Sequence, residues 1–239
     1  MKTIPHMHDF ISGLPGEVRL EIESRCRQRR VLKGEAVYNQ GDAATEMYQV
    51  IKGGVKLCNY SLDGREFYAL QFRENDCFGE MGLIDHLPRV SYAVATADCL
   101  LRVITREDFE HFLRNYPEFS QQVMLMLCRR VRYSYSLLAE ASGLNLHQRV
   151  ALNLYRLAHS HGVKDAAGDL YVGVSQEELA RMLGSSRQTV NKELQKLVAE
   201  GSVELRYGKI FLMDLEGMRE KYEYLMGSEQ IAASYREPD

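Results

Sequence analysis

The chain has 239 residues, enough for two domains of ordinary size, and its 45% hydrophobic and 26% charged content is typical of a globular protein. The formal net charge of −3 does not indicate a nucleic-acid binder, but a small basic face can lie on an acidic protein, so a DNA-binding function must be argued from a local motif. No apolar run approaches the roughly 18 residues of a membrane span, and the N-terminus lacks the apolar region of a signal peptide. We therefore expect a cytoplasmic protein with no membrane partner.

Residues 28–105 have the pattern of an all-β domain. Short apolar runs recur at close spacing, and glycines interrupt them. The predicted strands are Met47–Ile51, Val55–Tyr60, Phe67–Phe72, Tyr92–Ala97 and Leu100–Thr105. Asp63-Gly64, between the second and third of these strands, is a strong signal for a β-hairpin. The pattern predicts a sandwich or barrel.

A helical pattern follows the strands. A short helix is predicted over Arg106–Asn115 and is ended by Pro117, because the residue before a proline avoids the helical region. Residues 118–142 predict a long helix in which two rows of side chains repeat every seven positions. The rows contain Met124, Leu127, Val131, Ser134, Leu138 and Ala141. Such a heptad seam favours a coiled-coil dimer; the alternative is a helix that packs this face against its own β-domain.

Gly143 and Asn145 mark the predicted hinge between two domains. Glycine suits the position after a helix C-terminus, and Asn145 with Gln148 has the spacing of a capping box. A helix is therefore predicted over Asn145–Ser160, and a polar loop over His161–Asp169.

The next segment has the spacing of a helix-turn-helix. Ser175 and Glu178 form a capping-box pattern before an apolar helix face, and Gly184 ends this first helix. Ser186 then precedes a second helix, predicted over residues 187–200.

The second helix has an apolar face and a polar face. Polar side chains cluster at its N-terminal end, the end that meets base edges when such a helix enters a major groove. These predicted DNA-binding residues are Ser186, Arg187, Gln188, Asn191 and Lys192. Arginine or lysine can contact guanine, and glutamine or asparagine can contact adenine. The alternative is an ordinary solvated helix face.

A short hairpin is predicted after this helix. Val203–Arg206 and Ile210–Met213 read as strands joined by Tyr207-Gly208-Lys209. The hairpin would be the wing of a winged helix, with Lys209 or Tyr207 at its tip in contact with phosphate.

Two sets of motifs carry a family resemblance. The segment Gly184–Leu194 provides the first set, and the N-terminal half provides the second in Asn39–Asp42, Tyr48–Gly53 and Phe78–Leu83. Both resemble the cyclic AMP receptor protein and fumarate and nitrate reduction regulator (CRP/FNR) family of bacterial transcription regulators. The likeness ends near Met213, so residues 214–239 fall outside it.

The resemblance implies an α+β fold in three parts. These are a cyclic-nucleotide-binding-type β-roll (jelly roll) over residues 1–116, a dimerisation helix over 117–143 and a winged helix-turn-helix domain over 144–239. It also implies a homodimer that binds an inverted repeat in double-stranded DNA, with RNA polymerase as a further partner. An effector in the β-roll would shift the dimer helices and so reorient the recognition helices.

In the cyclic AMP branch of this family a Gly-Glu pair and an arginine hold the nucleotide, and the resemblance assigns these roles to Gly79, Glu80 and Arg89. Arginine suits a phosphate because its guanidinium offers paired donors. Val90 stands where a serine is usual, and Ser91 follows one place later. Ser91 is kept as a candidate ligand-binding residue, and its side chain would face away unless the loop bulges. The alternative for Glu80 and Arg89 is a structural ion pair.

Ser134 and Tyr135 match the two dimer-helix positions that contact adenine in that branch. Tyrosine is larger than the expected residue and would partly fill the pocket. Cyclic AMP is therefore a candidate effector, and a β-roll that binds another ligand or none is the main alternative. No covalently bound cofactor is expected.

The cysteines and histidines are weak candidates for metal or haem ligands. The cysteines are odd in number, and no pair has the C-x₂-C spacing of a metal site; they are Cys26, Cys58, Cys77, Cys99 and Cys128. Four lie among apolar or aromatic neighbours, which favours buried, reduced thiols. An iron–sulfur cluster would need more cysteines near the N-terminus, and haem ligation by Cys77, His86, His6 or His8 is disfavoured. No metal site is predicted.

Two other classes of protein compete with this interpretation. A regulatory subunit of a kinase or channel would share the β-roll but lack the helix-turn-helix. An enzyme would need a catalytic triad, a phosphate-binding loop or a metal cluster, and the sequence presents none of these patterns. The chain is therefore expected not to be an enzyme.

Overall fold

The structure, a computed structural model, describes residues 2–5, 7–62, 64, 66–206, 208–222 and 231–234. Contacts divide the chain into two compact units: residues 6–130, and residues 131–239 together with 1–5. The boundary between the units falls within the long helix. The predicted three-part division at residues 116 and 143 stays a prediction.

The N-terminal unit is built on two antiparallel four-stranded sheets. After β1 (Lys2–Pro5), its elements are α1 (Gly16–Arg25), β2 (Arg27–Val31), β3 (Ala36–Tyr38), β4 (Glu46–Lys52), β5 (Val55–Tyr60), β6 (Glu66–Phe72), β7 (Cys77–Phe78), α2 (Met81–Ile84), β8 (Tyr92–Ala95), β9 (Cys99–Thr105), α3 (Arg106–Asn115) and the first half of α4 (Pro117–Gly143). One sheet has the order β2-β9-β4-β7 and the other β3-β8-β5-β6. The predicted β-roll is confirmed, with the five predicted strands found within two residues of their predicted ends.

Buried aromatic side chains fill the space inside this roll. The rings of Phe72 and Phe78 stack with centroids 5.2 Å apart, and Tyr48 stacks on Phe78 at 5.3 Å. From β9, the alternate residues Leu101 and Val103 point into the same core. Because Phe78 is the last residue of β7, this stack fixes where the following turn begins.

The hairpin between β5 and β6 forms as predicted. The two strands pair from Val55–Phe72 to Tyr60–Glu66. Gly64 has a φ of +77°, a left-handed conformation that favours glycine. Asp63 lies outside the described residues.

Helix α4 buries one face and exposes another. Phe119, Val123 and Met126 are buried in a core that α3 also enters. The heptad residues Met124, Val131 and Leu138 lie on a different face and are 59%, 53% and 62% exposed. Leu127 of the seam packs partly against this core, so the large apolar residues of the seam that are left exposed are Met124, Val131 and Leu138.

The C-terminal unit contains the predicted winged helix. Its elements after α4 are α5 (Leu146–His161), β10 (Val163–Lys164), β11 (Leu170–Val172), α6 (Gln176–Met182), α7 (Arg187–Ala199), β12 (Val203–Arg206), β13 (Lys209–Leu212), α8 (Leu215–Tyr222) and β14 (Ile231–Ser234). A four-stranded sheet has the order β10-β11-β13-β12, and β1 pairs with β14 in parallel. Asn145 caps α5 with the predicted capping box. No helix among the described residues is both long enough and apolar enough to cross a membrane.

The prediction of a loop over His161–Asp169 was partly wrong. Helix α5 includes His161, and β10 pairs with β11 through Val163 and Tyr171. A strand of two residues has no periodicity of its own, so it forms only because a neighbouring strand is present.

Candidate functional site

The turn between β7 and α2 brings Gly79 close to Arg89. Gly79 has a φ of +89°, and a Cβ at this position would lie 2.9 Å from Nη1 of Arg89. Nη1 of Arg89 donates a hydrogen bond to the main-chain oxygen of Gly79 at 2.6 Å, and Nη2 donates to the main-chain oxygen of Glu46. Glycine is therefore required both for the backbone conformation and for this close approach.

Arg89 is a buried cation held from several sides. The residue is 7% exposed, and its guanidinium lies 4.2 Å from the centroid of the Tyr38 ring, within range of a cation–π interaction. Its backbone amide donates to Asp42 and its carbonyl accepts from Gly41, both at 2.9 Å. Burial raises the pKa of Tyr38, so the ring under the cation stays neutral. Nε of Arg89 has no partner among the described residues.

Glu80 forms its ion pair with Arg130 of α4. Glu80 is 1% exposed, and its Oε1 accepts from Nη1 of Arg130 at 2.6 Å. Nη2 of Arg130 donates to the main-chain oxygen of Cys77, and the guanidinium lies 5.5 Å from the centroid of the Phe72 ring. Oε2 of Glu80 has no partner among the described residues. The alternative considered from the sequence, an ion pair between Glu80 and Arg89, is therefore not what the structure shows. Glu80 pairs with Arg130, and Arg89 donates to main-chain oxygens.

Arg130 joins the site in the structure but was not predicted from the sequence. Its sequence context shows only a charged residue beside the heptad seam. The signal that points to it is its spacing: it lies four residues, about one helical turn, before Ser134.

Burial alternates along residues 89–91. Arg89 and Ser91 are each 7% exposed, whereas Val90 is 60% exposed. Ser91 is therefore buried in this segment, and its role toward a phosphate stays a prediction.

Ser134 and Tyr135 lie on the second half of α4 and belong to the other compact unit. Both are exposed, Tyr135 by 69%. Their role toward an adenine ring stays a prediction.

The cysteines and histidines considered as metal ligands have other surroundings. Burial raises the pKa of Cys77, and it raises the pKa of Cys26 to about 12, which disfavours the thiolate form that binds metals. Nδ1 of His86 contacts Nη1 of Arg106 at 2.8 Å. No group of three or more metal-ligating side chains occurs within the described residues. His6 lies outside them.

In the second unit, α6 and α7 form the helix-turn-helix. Ser175 caps α6 with the predicted capping box, and Ser186 caps α7 by accepting from the amide of Thr189 at 3.1 Å. Gly184 adopts a φ of +60° in the turn between them. A side-chain nitrogen of Arg149 donates to the carbonyl of Leu183 at 2.9 Å, which ties the turn to α5.

The polar face of α7 is exposed as predicted. Arg187, Gln188 and Lys192 are exposed and Asn191 is half-buried, while the apolar residues Val190, Leu194 and Leu197 are buried. Ser186 is exposed too, but its hydroxyl is engaged in the helix cap. Gln195 was missed from the sequence: it is exposed and lies seven residues after Gln188, on the same face.

Glu193, the acidic residue next to Lys192 on α7, has its negative charge paired with neighbouring side chains. It is partly buried toward α5 and accepts from the Lys196 ammonium at 2.8 Å, with Nδ1 of His147 at 3.2 Å. The hydrogen bond from Lys196 is the main reason that the pKa of Glu193 is lowered. The negative charge is therefore compensated before any DNA phosphate approaches.

Strand β13 begins one residue earlier than predicted, and it therefore includes Lys209. This lysine is the first residue of β13, paired with Arg206 of β12, rather than part of the tip. Its ammonium lies 4.0 Å from the centroid of the Tyr171 ring. The wing and the starts of α6 and α7 enclose a cleft of about 370 Å³, lined by Lys209 and Arg187 among others. Tyr207 lies outside the described residues.

These features define a regulator with a cyclic-nucleotide-binding-type domain and a DNA-binding winged helix. Residues 28–116 match the family model of the cyclic nucleotide-binding domain, and residues 148–221 match that of the Crp-like helix-turn-helix domain. The chain therefore carries both modules in the order that the fold shows.

Two sequence relatives and one solved structure identify the family to which the chain belongs. It is 32% identical over 210 residues to the cyclic AMP receptor protein of Thermus thermophilus, covering 88% of this chain and 93% of that protein. It is 31% identical over 186 residues to a CRP-like cAMP-activated global transcriptional regulator of Mycobacterium tuberculosis, covering 77% and 83%. A solved CRP-family transcriptional regulator, also from Thermus thermophilus, has a TM-score of 0.69 at 26% identity, covering 84% and 100%. The chain belongs to the CRP/FNR family of transcription regulators, a family of DNA-binding proteins and not of enzymes.

Proposed function

We propose that this protein is a homodimeric, sequence-specific regulator whose DNA binding is controlled by a cyclic nucleotide in the β-roll, with cyclic AMP as the first candidate. The observation that carries the effector is a pair of buried polar atoms, Oε2 of Glu80 and Nε of Arg89, which have no partner among the described residues. Leaving such atoms unpaired is costly. A ribose hydroxyl would supply the donor that Glu80 needs, and a phosphate oxygen would supply the acceptor that Arg89 needs. Two relatives named for cyclic AMP support this choice.

A second candidate is a different effector, or none. Both Nη groups of Arg89 already donate to main-chain carbonyls, so the paired donors that would hold a phosphate are in use. A cyclic phosphate must displace one of these contacts or be held through Nε. The energy of that exchange decides between the two candidates.

The exposed heptad seam supports the dimer. Met124, Val131 and Leu138 leave a row of large apolar side chains open along α4, and a second copy of the same helix would cover them. Such a dimer places two copies of α7 in successive major grooves about 34 Å apart, which calls for an inverted repeat. RNA polymerase would be a further partner of this regulator, and the protein would act in the cytoplasm.

The exposed residues of α7 would determine which DNA bases the dimer recognises. Arg187 suits guanine, whereas Gln188 carries an amide that can donate as well as accept. In the cyclic AMP branch a glutamate stands at this place and accepts from cytosine. We therefore expect the base pair facing Gln188 to be read less strictly, or as A·T.

Calorimetric titration tests the effector. Full-length protein is first checked for a haem absorption spectrum and is then titrated with cyclic AMP and with cyclic GMP. Heat of binding is expected from wild type and is expected to disappear in Arg89→Ala, because the phosphate loses its guanidinium. Arg30→Ala, which removes an exposed arginine of β2, serves as the control and should bind like wild type. An absence of heat at millimolar nucleotide would favour the second candidate.

A further inference from the structure

We infer that His8 is a positioning residue of the effector site: as a hydrogen-bond acceptor it holds Arg130 in the orientation that pairs with Glu80. The inference rests on the proposed function, since it takes Glu80 and Arg89 as the effector site. It concerns a residue of the N-terminal segment before α1, a part of the chain that the family resemblance does not reach.

His8 is fixed in place at both its backbone and its ring. It is 2% exposed, and its main-chain oxygen accepts from the amide of Cys77 in β7 at 2.8 Å. Its ring meets the Phe72 ring edge-on, with centroids 5.2 Å apart. Two residues later, Phe10 packs edge-on against Phe119 of α4 at 5.2 Å. The segment is thus part of the core and not a loose terminus.

Each nitrogen of the Arg130 guanidinium has an acceptor among the described residues, and His8 supplies one of these acceptors. Nε of Arg130 donates to Nδ1 of His8 at 3.2 Å, Nη1 donates to Glu80, and Nη2 donates to the carbonyl of Cys77. Three acceptors around a planar, rigid group leave it a single orientation. Removing the acceptor at Nε would take this partner from a partly buried donor and would let the plane of the guanidinium turn away from Glu80.

The acceptor role makes this contact sensitive to protonation. Nδ1 accepts only when the ring is neutral with its hydrogen on Nε2; a protonated ring would place an N–H and a positive charge against Arg130. Two other charged groups lie near, Asp9 and Asp76, whose carboxylates accept from the amides of Ser12 at 3.0 Å and Arg73 at 2.8 Å. Among the described residues, Glu80, Cys77 and Tyr38 are further titratable side chains that interact with Arg130. Acid should therefore loosen Arg130 and weaken effector binding.

Two substitutions separate the acceptor from simple packing. His8→Asn keeps an oxygen close to the position of Nδ1 but does not titrate, whereas His8→Leu fills similar space without an acceptor. Full-length wild type and both variants are titrated with cyclic AMP at about pH 7.5 and about pH 5.5, values either side of the usual histidine transition. At the higher pH, His8→Leu should bind about tenfold more weakly than wild type, as expected for loss of a hydrogen bond to a charged group, and His8→Asn should bind like wild type. On acidification wild type should lose more affinity than His8→Asn.

Equal losses in the two variants would show that His8 acts only through packing and would overturn the inference, as would unchanged affinity in His8→Leu. If wild type does not bind cyclic AMP, the effector part of the proposed function fails, and His8 is judged by a different signal. The Nε–H resonance of Arg130, identified by its loss in Arg130→Lys, should be protected from hydrogen exchange in wild type and in His8→Asn but not in His8→Leu. Equal protection in all three proteins would overturn the inference independently of any ligand.

Discussion

Replacing Glu140 by leucine should destabilise the C-terminal unit, because it leaves the guanidinium of Arg156 buried without its anion. Glu140 is 8% exposed and Arg156 4%. Both Nη groups of Arg156 contact the carboxylate, Nη1 at 3.3 Å from Oε2, and the guanidinium lies 5.5 Å from the centroid of the Tyr133 ring. The pair joins the end of α4 to α5, so its loss would affect the part of the molecule that carries the helix-turn-helix.

The expected size of the effect follows from the burial of the pair. Breaking a buried ion pair by removing one partner costs about 3–5 kcal/mol, a large part of the roughly 5–15 kcal/mol that stabilises a typical domain. Replacing both partners with apolar residues of similar size is often neutral. Glu140→Leu alone should therefore cost about 3–5 kcal/mol, and the double variant Glu140→Leu/Arg156→Met should return to within about 1 kcal/mol of wild type.

Hydrogen–deuterium exchange of peptides from α5 measures this effect locally. A global unfolding curve would combine the transitions of the two units. The chain also has no tryptophan whose fluorescence could follow either unit separately. Glu204→Leu is a matched control, because it breaks a well-solvated ion pair with Arg206 and should cost much less than the loss of a buried pair. If Glu140→Leu lowers the protection of α5 no more than Glu204→Leu does, the buried pair does not stabilise this unit as expected.

Three further predictions concern the dimer, the effector turn and the DNA contact. Changing Val131 and Leu138 to aspartate should give monomers in sedimentation experiments at micromolar concentration, because charges would meet across the seam; a wild type that is already monomeric would contradict this. Gly79→Ala should weaken cyclic AMP binding in calorimetry more than Gly168→Ala, since both positions have a φ of +89° but a Cβ would meet a neighbour only at Gly79. Equal affinities would show that the close approach is unimportant. Lys192→Ala should lower the salt dependence of DNA binding by about one phosphate contact in anisotropy titrations, and an unchanged slope would exclude that contact.

The elements that the sequence predicted well are those with local signals. The capping boxes at Asn145 and Ser175 involve residues three positions apart, and the hairpin at Gly64 depends on one turn. The helix-turn-helix could be located because the capping serine, the turn glycine and the buried row Val190–Leu197 all lie within one short segment.

The effector site was only partly predictable, because its contacts join distant parts of the chain. Glu80 and Arg130 are fifty residues apart, and Arg89 reaches the carbonyl of Glu46, forty-three residues away. A main-chain acceptor carries no side-chain signal at all. Ser91 likewise lies in the segment before β8, which forms no regular strand, so its burial could not be predicted from a strand pattern.

Binding selection on random double-stranded DNA, with wild type and Arg187→Ala in parallel, tests most directly whether α7 reads sequence. For wild type we expect an inverted repeat with half-site centres about one turn, or roughly 10–10.5 base pairs, apart. Arg187→Ala should recover a repeat that is relaxed at one position in each half-site, with an affinity loss of about 1–3 kcal/mol. The same motif at the same stringency from both proteins, or no enriched repeat from wild type, would contradict this expectation.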